Sequence, residues 1–237
     1  MLAHTLTYLG YLKCLRLENC ELDESHVRLL SQSVSTMSTL KELDLSGNKG
    51  IGPVMLHGDC LKTLHTLKLA RTGLSDSSIG TLCHCKLANI EELDLSGNPI
   101  GSCGVVKLVD AIVNDCLPTL TKLGLADNMI DSEGVAILAN SFKHIPHLSN
   151  LDLSYNEMIG PRGIEALFNN LVLVPNLETL KLNGVRLQRR LCVTFPKLYR
   201  TLCSYNLDLS WIEHELELGT FQEEKIQMLR DVYKQPQ

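Results

Sequence analysis

The sequence predicts an α/β solenoid, a right-handed curved horseshoe segment with parallel strands on its concave face and helices on its convex face. Three observations predict it. One apolar pattern returns seven times, helix-like segments lie between its copies, and an asparagine recurs where the predicted strands end. The chain has 237 residues, of which 44% are hydrophobic and 21% are charged, so its composition is that of a folded domain.

The repeated pattern is Leu-x-x-Leu-x-Leu-x-x-Asn/Cys-x-Leu, which is the pattern of leucine-rich repeats. Its copies start at Leu12, Leu40, Leu64, Ile90, Leu120, Leu148 and Leu177. A weaker eighth copy contains Leu207-Asp208-Leu209-Ser210. We therefore expect an array of seven to eight units over residues 1–210 and a C-terminal cap over residues 211–237.

Each Leu-x-Leu stretch alternates between a buried leucine and a residue on the open face of a short strand. The open-face residues form a central row, which reads Arg16, Asp44, Lys68, Asp94, Gly124, Asp152, Lys181 and Asp208. The asparagines at the ninth position are suited to hydrogen-bond backbone groups where the chain leaves the strand; they are Asn48, Asn98, Asn128 and Asn156. Cys20 and Thr72 are smaller substitutes, and Val185 cannot make these bonds.

Apolar residues at helical spacing follow several of the predicted strands. Asp23 and Asp131 are expected helix N-caps, and Pro161 is expected in the first turn of a helix. The apolar positions behind them are Val27, Leu30, Val34 and Met37; Val135, Leu138 and Phe142; and Ile164, Leu167, Phe168 and Leu171. The shortest step, from Leu40 to Leu64, contains Gly52, Pro53 and Gly58 and predicts an irregular loop.

Over residues 12–209 the chain resembles the ribonuclease-inhibitor-like subfamily of leucine-rich repeats. The segments IDSEGVAILANSF, MIGPRGIEALFNNL and LVPNLETLKL look like the C-terminal ligand-sensing repeats of NOD-like receptors, which are cytosolic innate-immune sensors. The tail LDLSWIEHELELGTFQEEKIQMLRDVYKQ is similar to the terminal cap of the NAIP-related branch. The resemblance implies a module that binds a ligand.

The two ends of the predicted array differ. Thr220 and Glu223 form a capping box for a C-terminal helix with one apolar side, made by Phe221, Ile226, Leu229 and Val232. The N-terminal residues show no such cap. We therefore expect self-association through the open N-terminal edge, and a longer receptor whose nucleotide-binding domain lies upstream.

Composition also limits the classes of binding partner and the cellular compartment that we expect. The net charge of −5 and the pI near 5.9 argue against nucleic acid and membrane surfaces as partners. No apolar run reaches the roughly 20 residues that span a bilayer, and the N-terminus lacks a secretory signal. Nine cysteines are an odd number, and no Asn-x-Ser/Thr site occurs, so we expect a cytoplasmic protein without a disulfide framework.

Residues that could carry chemistry have simpler explanations. We expect Cys83-His84-Cys85 to be structural and not a metal site. His144 and His147 near Asp115 could form an acid–base pair, but turn histidines are the favoured interpretation. The recurring carboxylates at positions 44, 94, 152 and 208 resemble catalytic pairs or a cation site, yet a solvated face explains them better. The sequence predicts neither an enzyme nor a cofactor or metal.

The concave face is the expected binding surface, because it is rigid and broad. Its predicted binding residues are Arg16, Asp44, Lys68, Asp94, Asp152, Tyr155, Lys181 and Trp211. Trp211 could equally pack into the cap. The leading hypothesis is a protein-interaction or ligand-sensing module of a NOD-like receptor. The alternatives are an enzyme inhibitor of the ribonuclease-inhibitor kind and a regulator of a small GTPase or of actin, and fold alone does not separate them.

Overall fold

A computed structural model of the protein describes residues 11–51, 61–83, 85 and 87–185. Within these residues, seven three-residue strands form one parallel sheet in chain order. They are β1 (Cys14–Arg16), β2 (Glu42–Asp44), β3 (Thr66–Lys68), β4 (Glu92–Asp94), β5 (Lys122–Gly124), β6 (Asn150–Asp152) and β7 (Thr179–Lys181). The predicted α/β repeat solenoid is confirmed.

Five α-helices lie in the described return segments. They are α1 (Glu24–Ser35), α2 (Asp76–Cys83), α3 (Ser102–Val113), α4 (Ser132–Asn140) and α5 (Pro161–Asn170), with short 3₁₀ helices at Phe142–His144 and Leu171–Leu173. Contacts join α2 to α3, α3 to α4 and α4 to α5. Helices α2 to α5 thus form a layer in which neighbours in space are also neighbours in the sequence, as expected for a repeat array.

The predicted helix starts are confirmed. Asp23 caps α1 by accepting a hydrogen bond from the backbone N–H of His26, and Asp131 caps α4 by accepting bonds from Glu133 and Gly134. Pro161 occupies the first turn of α5. The α4 helix ends earlier than its apolar pattern, so that Phe142 lies in the 3₁₀ turn and is fully buried there. The apolar spacing therefore located the core side chain, while the helix end was set by local backbone bonds.

The core runs without a break from unit to unit. The middle residue of each strand is a leucine, and these leucines are buried beside one another in register: Leu15, Leu43, Leu67, Leu93, Leu123, Leu151 and Leu180. Each unit contributes one layer to this stack. A single unit buries little of its own apolar surface, so stability comes mainly from the contacts between units.

The turn asparagines tie each unit to the one before it. The Asn48 side-chain nitrogen donates to the carbonyls of Leu17 and Leu45 at 2.8 and 2.7 Å, and its oxygen accepts from the N–H groups of Cys20 and Leu22 at 3.0 Å. Asn48 is only 1% exposed. The amide therefore replaces backbone partners that a sharp turn out of a strand cannot supply.

The substitutes at the ninth position behave as their chemistry allows. Thr72 donates its hydroxyl to the Leu69 carbonyl at 2.8 Å, which reproduces one of the amide bonds. Cys20 makes only a weak contact from its thiol to the Glu18 carbonyl at 3.3 Å. Val185 is buried and has no polar side-chain atom.

Several expectations fall outside the described residues. They are the irregular loop at Gly52, Pro53 and Gly58, the eighth unit with Asp208, and the cap with Trp211, Thr220 and Glu223. The cap and the division of the chain at residue 210 stay predictions. Within the part of the chain that the structure describes, none of the helices combines the length and apolar character needed to cross a membrane.

Candidate protein-binding surface

The first and third residues of every strand face outward on the concave face, because the middle leucine points into the core. The strand register places the third residues side by side as the central row Arg16, Asp44, Lys68, Asp94, Gly124, Asp152 and Lys181. The first residues of the strands form another row beside it, which consists of Cys14, Glu42, Thr66, Glu92, Lys122, Asn150 and Thr179. This row was not predicted from the sequence, although its residues stand two positions before those of the central row.

Charges on the two rows pair across neighbouring strands. Arg16 Nε lies 2.8 Å from Glu42 Oε1, and the hydrogen bond between them lowers the pKa of Glu42. The Glu92 carboxylate lies 3.3 Å from the Lys68 ammonium and 3.5 Å from that of Lys122. Such exposed pairs contribute at most about 1 kcal/mol each. Their main effect is to leave a face of mixed charge.

At the C-terminal end of the described sheet, Lys181 Nζ lies 3.6 Å from Asp152 Oδ2. At its centre, partial burial lowers the pKa of Lys68, but the carboxylates of Glu92, Asp44 and Glu42 outweigh that effect and raise it. A cation seated in the central row is therefore stabilised by the carboxylates around it.

The recurring carboxylates also have a structural role. Asp44, Asp94 and Asp152 each accept a hydrogen bond at 3.0 Å from the N–H of the serine two residues later. Asp44 is only 3% exposed, so the expectation of a fully solvated carboxylate ladder is wrong at this position. Glu18 lies against it, and a hydrogen bond to Asp44 together with its negative charge raises the pKa of Glu18. Asp44 thus has little surface left for a partner.

A second column of residues follows the strands along one edge of the concave face. These rim positions are the residues directly before each ninth position: Asn19, Gly47, Arg71, Gly97, Asp127, Tyr155 and Gly184. All seven have positive φ, from 51° at Asn19 to 76° at Gly47, so the turn requires a left-handed residue in every unit. Glycine adopts this conformation without strain, whereas an aromatic residue does not.

Tyr155 is the large aromatic side chain of this rim. Its φ is 59°, its side chain is 59% exposed, and its ring lies over the backbone of Gly184. A Cβ atom on Gly184 would approach Tyr155 Cδ1 to 2.8 Å, so the glycine makes the space for the ring. The other two Leu-Asp-Leu-Ser units within the described residues have Gly47 and Gly97 at the same position.

A shallow depression of about 220 Å³ lies in the concave face around Gly124. Its charged lining residues are Glu92, Asp94, Lys122, Asp152 and Lys181. The depression exists because the central row has no side chain at position 124. The depression is not apparent from Gly124 in the sequence, because residues of four strands, β4 to β7, line it.

The residues considered for chemistry are not assembled into a reactive site. Among the described contacts, neither His144 nor His147 hydrogen-bonds or pairs with Asp115. No group of three or more His, Cys, Asp or Glu side chains in the described ranges is arranged to hold a metal ion. His84 lies outside those ranges.

Three thiols line a separate cavity of about 580 Å³ on another side of the molecule, those of Cys83, Cys85 and Cys116. Burial, and then the proximity of the other two thiols, raises the pKa of Cys83 to about 12. A thiol with this pKa stays protonated at neutral pH and is a poor nucleophile. A structural role fits it better than catalysis.

Comparison with known proteins agrees with this architecture. The Leucine Rich repeat family model matches residues 36–54, 86–109 and 144–168. The chain is a leucine-rich-repeat protein. Its repeats are of the ribonuclease-inhibitor-like type and resemble those of NOD-like receptors.

Two curated relatives of this leucine-rich-repeat protein illustrate the resemblance. NACHT, LRR and PYD domains-containing protein 5 of Bos taurus is 34% identical over 161 residues, which cover 63% of this chain and 14% of that protein. The ribonuclease inhibitor of Mus musculus is 30% identical over 156 residues, which cover 62% of this chain and 34% of that protein. The chain therefore spans a minor part of the length of either relative.

Among solved structures, a chain in the crystal structure of the Rad7 and Elc1 complex in yeast aligns with a TM-score of 0.53 and 19% sequence identity. The alignment covers 71% of this chain and 42% of that chain. At this identity the similarity shows a common fold and nothing further.

Proposed function

We propose that this leucine-rich-repeat protein is a non-enzymatic protein-interaction module, the ligand-sensing repeat region of a cytosolic NOD-like innate-immune receptor. We propose further that it recognises a protein ligand with the C-terminal part of its concave face. The similarity of its repeats to NACHT, LRR and PYD domains-containing protein 5 supports the receptor class. The observation that carries the binding role is the conformation and exposure of Tyr155.

A left-handed backbone costs a non-glycine residue about 1–2 kcal/mol. Gly47 and Gly97 avoid this cost in the equivalent units, whereas Tyr155 bears it and leaves more than half of its side chain exposed. Strain that brings little burial in return favours a functional explanation. Tyrosine is also a frequent anchor in protein interfaces, because it offers a large amphipathic surface at a low cost in side-chain entropy.

The surroundings of Tyr155 fit this role. Its ring is held against the Gly184 backbone, so its direction is set before a partner arrives. Asp152 and Lys181 provide a charged pair on the adjacent concave face. An aromatic anchor beside polar and charged groups is the usual composition of an interface that forms between soluble proteins.

The experiment compares Tyr155→Gly with Arg71→Gly. Both changes remove a side chain from a rim position with positive φ, since Arg71 has φ of 55° and lies over Gly97 as Tyr155 lies over Gly184. A protein partner is first isolated from cytosolic extract by cross-linking and identified by mass spectrometry, and its Kd is then measured by calorimetry.

Loss of an interface anchor costs about 2 kcal/mol or more, so Tyr155→Gly is expected to weaken binding about 30-fold. Arg71→Gly is expected to leave Kd within about threefold. Neither change should lower the free energy of unfolding by more than about 0.5 kcal/mol, because relief of backbone strain offsets the added freedom of glycine in the unfolded chain. Unchanged binding by Tyr155→Gly would remove the basis for this site.

A ribonuclease-inhibitor-like function is the second candidate, favoured by the 30% identity to the ribonuclease inhibitor of Mus musculus. The paired charges of the concave face count against it, because a basic enzyme would be attracted most strongly by a face of uniform negative charge. The test is the rate of RNA cleavage by a panel of ribonucleases with the chain present at micromolar concentration. We expect unchanged rates; inhibition of any member would favour this second function over the first.

A further inference from the structure

The central row alternates in charge at every described position except one. From β1 to β4 it runs Arg16, Asp44, Lys68, Asp94, and from β6 to β7 it continues with Asp152 and Lys181. Gly124 of β5 stands between the two parts, at the place where the alternation would have a cation. The row thus has two carboxylates with no cationic side chain between them.

Lys68 shows how a cation in the row is accommodated. It stands between Asp44 and Asp94 in the register, and its ammonium group lies 3.3 Å from the Glu92 carboxylate. The carboxylates around it hold it in the charged form, as its raised pKa indicates. The same arrangement of two flanking aspartates exists at Gly124, but residue 124 itself has no side chain.

The charges at the depression are incompletely balanced. Glu92 pairs with Lys122, and Asp152 pairs with Lys181. Among the described residues, no lysine, arginine or histidine side chain lies within 4 Å of the Asp94 carboxylate, which accepts a hydrogen bond from the N–H of Ser96. Asp94 therefore offers negative charge that remains available to a partner.

Glycine at position 124 keeps this place open. A Cβ atom there would lie 2.5 Å from Asp94 Oδ1 and 3.1 Å from Ser96 Oγ, so any side chain would displace the Asp94 carboxylate or fill the depression. The two flanking aspartates lie two strands apart, which corresponds to about 9.6 Å between their backbones. A planar group with donors on both edges can reach carboxylates on either side of such a gap.

We propose that the depression at Gly124 binds an arginine side chain of the protein partner, with its guanidinium group in the vacant cationic place between Asp94 and Asp152. Arginine suits the place because its fork of five N–H donors is always charged and can engage two carboxylates at once. The inference rests on the proposed protein-binding function and names the chemistry that the partner must present.

The test uses N-acetyl-arginine-methylamide as the probe and the matching citrulline derivative as an uncharged control of nearly the same shape. Each compound is titrated into the ¹⁵N-labelled chain, and the amide shifts are followed by NMR. The arginine probe is expected to shift the amides of Asp94, Ser96 and Gly124 in a saturable manner with a millimolar Kd. The citrulline probe is expected to leave them unmoved. Equal shifts with both probes would overturn the proposal.

Two variants test whether the Asp94 carboxylate binds the arginine probe. Asp94→Asn keeps an oxygen to accept the Ser96 N–H and is expected to weaken the arginine probe about fivefold. Asp44→Asn is the matched control, because Asp44 has the same bond to a serine N–H but already neighbours Lys68. It should leave probe binding unchanged. Equal weakening by both variants would contradict the proposal.

Gly124→Lys provides a second route that retains both flanking aspartates, although its Cβ must shift the Asp94 carboxylate. The new ammonium group should occupy the vacant place, so that the arginine probe no longer shifts the surrounding amides; retained binding would refute the assignment. Circular dichroism checks that each variant folds. The two proposals can fail separately. If the arginine probe binds at Gly124 but Tyr155→Gly does not weaken partner binding, only the proposed interface is refuted. If Tyr155→Gly weakens partner binding but the probe does not bind at Gly124, only the arginine site is refuted.

Discussion

Replacement of the turn asparagines by alanine should destabilise the protein in the order Asn48, Asn98, Asn128. The chemical change is identical at the three positions, so the difference measures how many backbone groups lose their partner. At Asn48, four groups have no other hydrogen bond within the described part of the chain: the N–H groups of Cys20 and Leu22 and the carbonyls of Leu17 and Leu45. Two of the four bonds are buried and two are partly buried.

The other two positions have built-in substitutes. When Asn98 is removed, the Leu69 carbonyl keeps the Thr72 hydroxyl and the Leu95 carbonyl keeps Asn128, so only two buried N–H groups lose their partner. When Asn128 is removed, each group it contacts keeps another bond; those groups are the Leu95, Leu125 and Ala126 carbonyls and the Ile100 N–H. The number of orphaned groups therefore falls from four to two to none.

A buried group without a partner costs about 1 kcal/mol at the lower end of measured values, and a partly buried one about half as much. The expected losses are then about 3 kcal/mol for Asn48→Ala, about 2 kcal/mol for Asn98→Ala and below about 1 kcal/mol for Asn128→Ala. Urea unfolding followed by far-ultraviolet circular dichroism measures these differences at constant m-value. An equal loss at all three positions would show that side-chain packing or turn propensity, and not bond satisfaction, dominates the effect.

Two further predictions concern the helical layer. Asp131→Ala should cost about 1–2 kcal/mol, because the carboxylate caps α4 and accepts the Ser102 hydroxyl at 2.6 Å. The Ser102 bond and the cap bonds lower the pKa of Asp131, so this stabilisation is present above its ordinary pKa and is lost as pH falls through the lowered one. The difference in unfolding free energy between the wild type and Asp131→Asn should therefore shrink as pH falls through that range, and acid titration of both proteins tests the sign. Gly163→Ala should destabilise by about 1–3 kcal/mol in thermal unfolding, because its Cβ would lie 2.8 Å from Ser132 Cα. Gly80→Ala should be neutral or stabilising, since its Cβ meets only the flexible end of Lys107, and a loss there as large as at Gly163 would contradict the packing argument.

The concave face combines structural and recognition roles in the same residues, which affects how mutations there are interpreted. Asp94 and Asp152 both accept a serine N–H at the end of a strand, so replacement by alanine would disturb the turn together with the surface. Asparagine retains an acceptor and removes the charge, so it separates the two roles. Tyr155 differs from both, because its removal should relieve strain and weaken binding at the same time.

The sequence alone determined the repeat architecture, the helix caps at Asp23 and Asp131, and the order of side chains in the central row. These features depend on residues a few positions apart, for which periodicity and capping chemistry are reliable guides. Burial of Asp44 was not visible in this way, because it depends on Glu18, which belongs to the preceding unit.

Tertiary structure also decided the cross-strand charge pairs, the left-handed rim with its strained Tyr155, and the depression at Gly124. Each of these arises between residues that are roughly one repeat apart in the chain and about 4.8 Å apart in the sheet. A glycine in a single strand indicates only a missing side chain. Pairing of β4, β5 and β6 places Gly124 between Asp94 and Asp152, so the side chains of the neighbouring strands surround the open position.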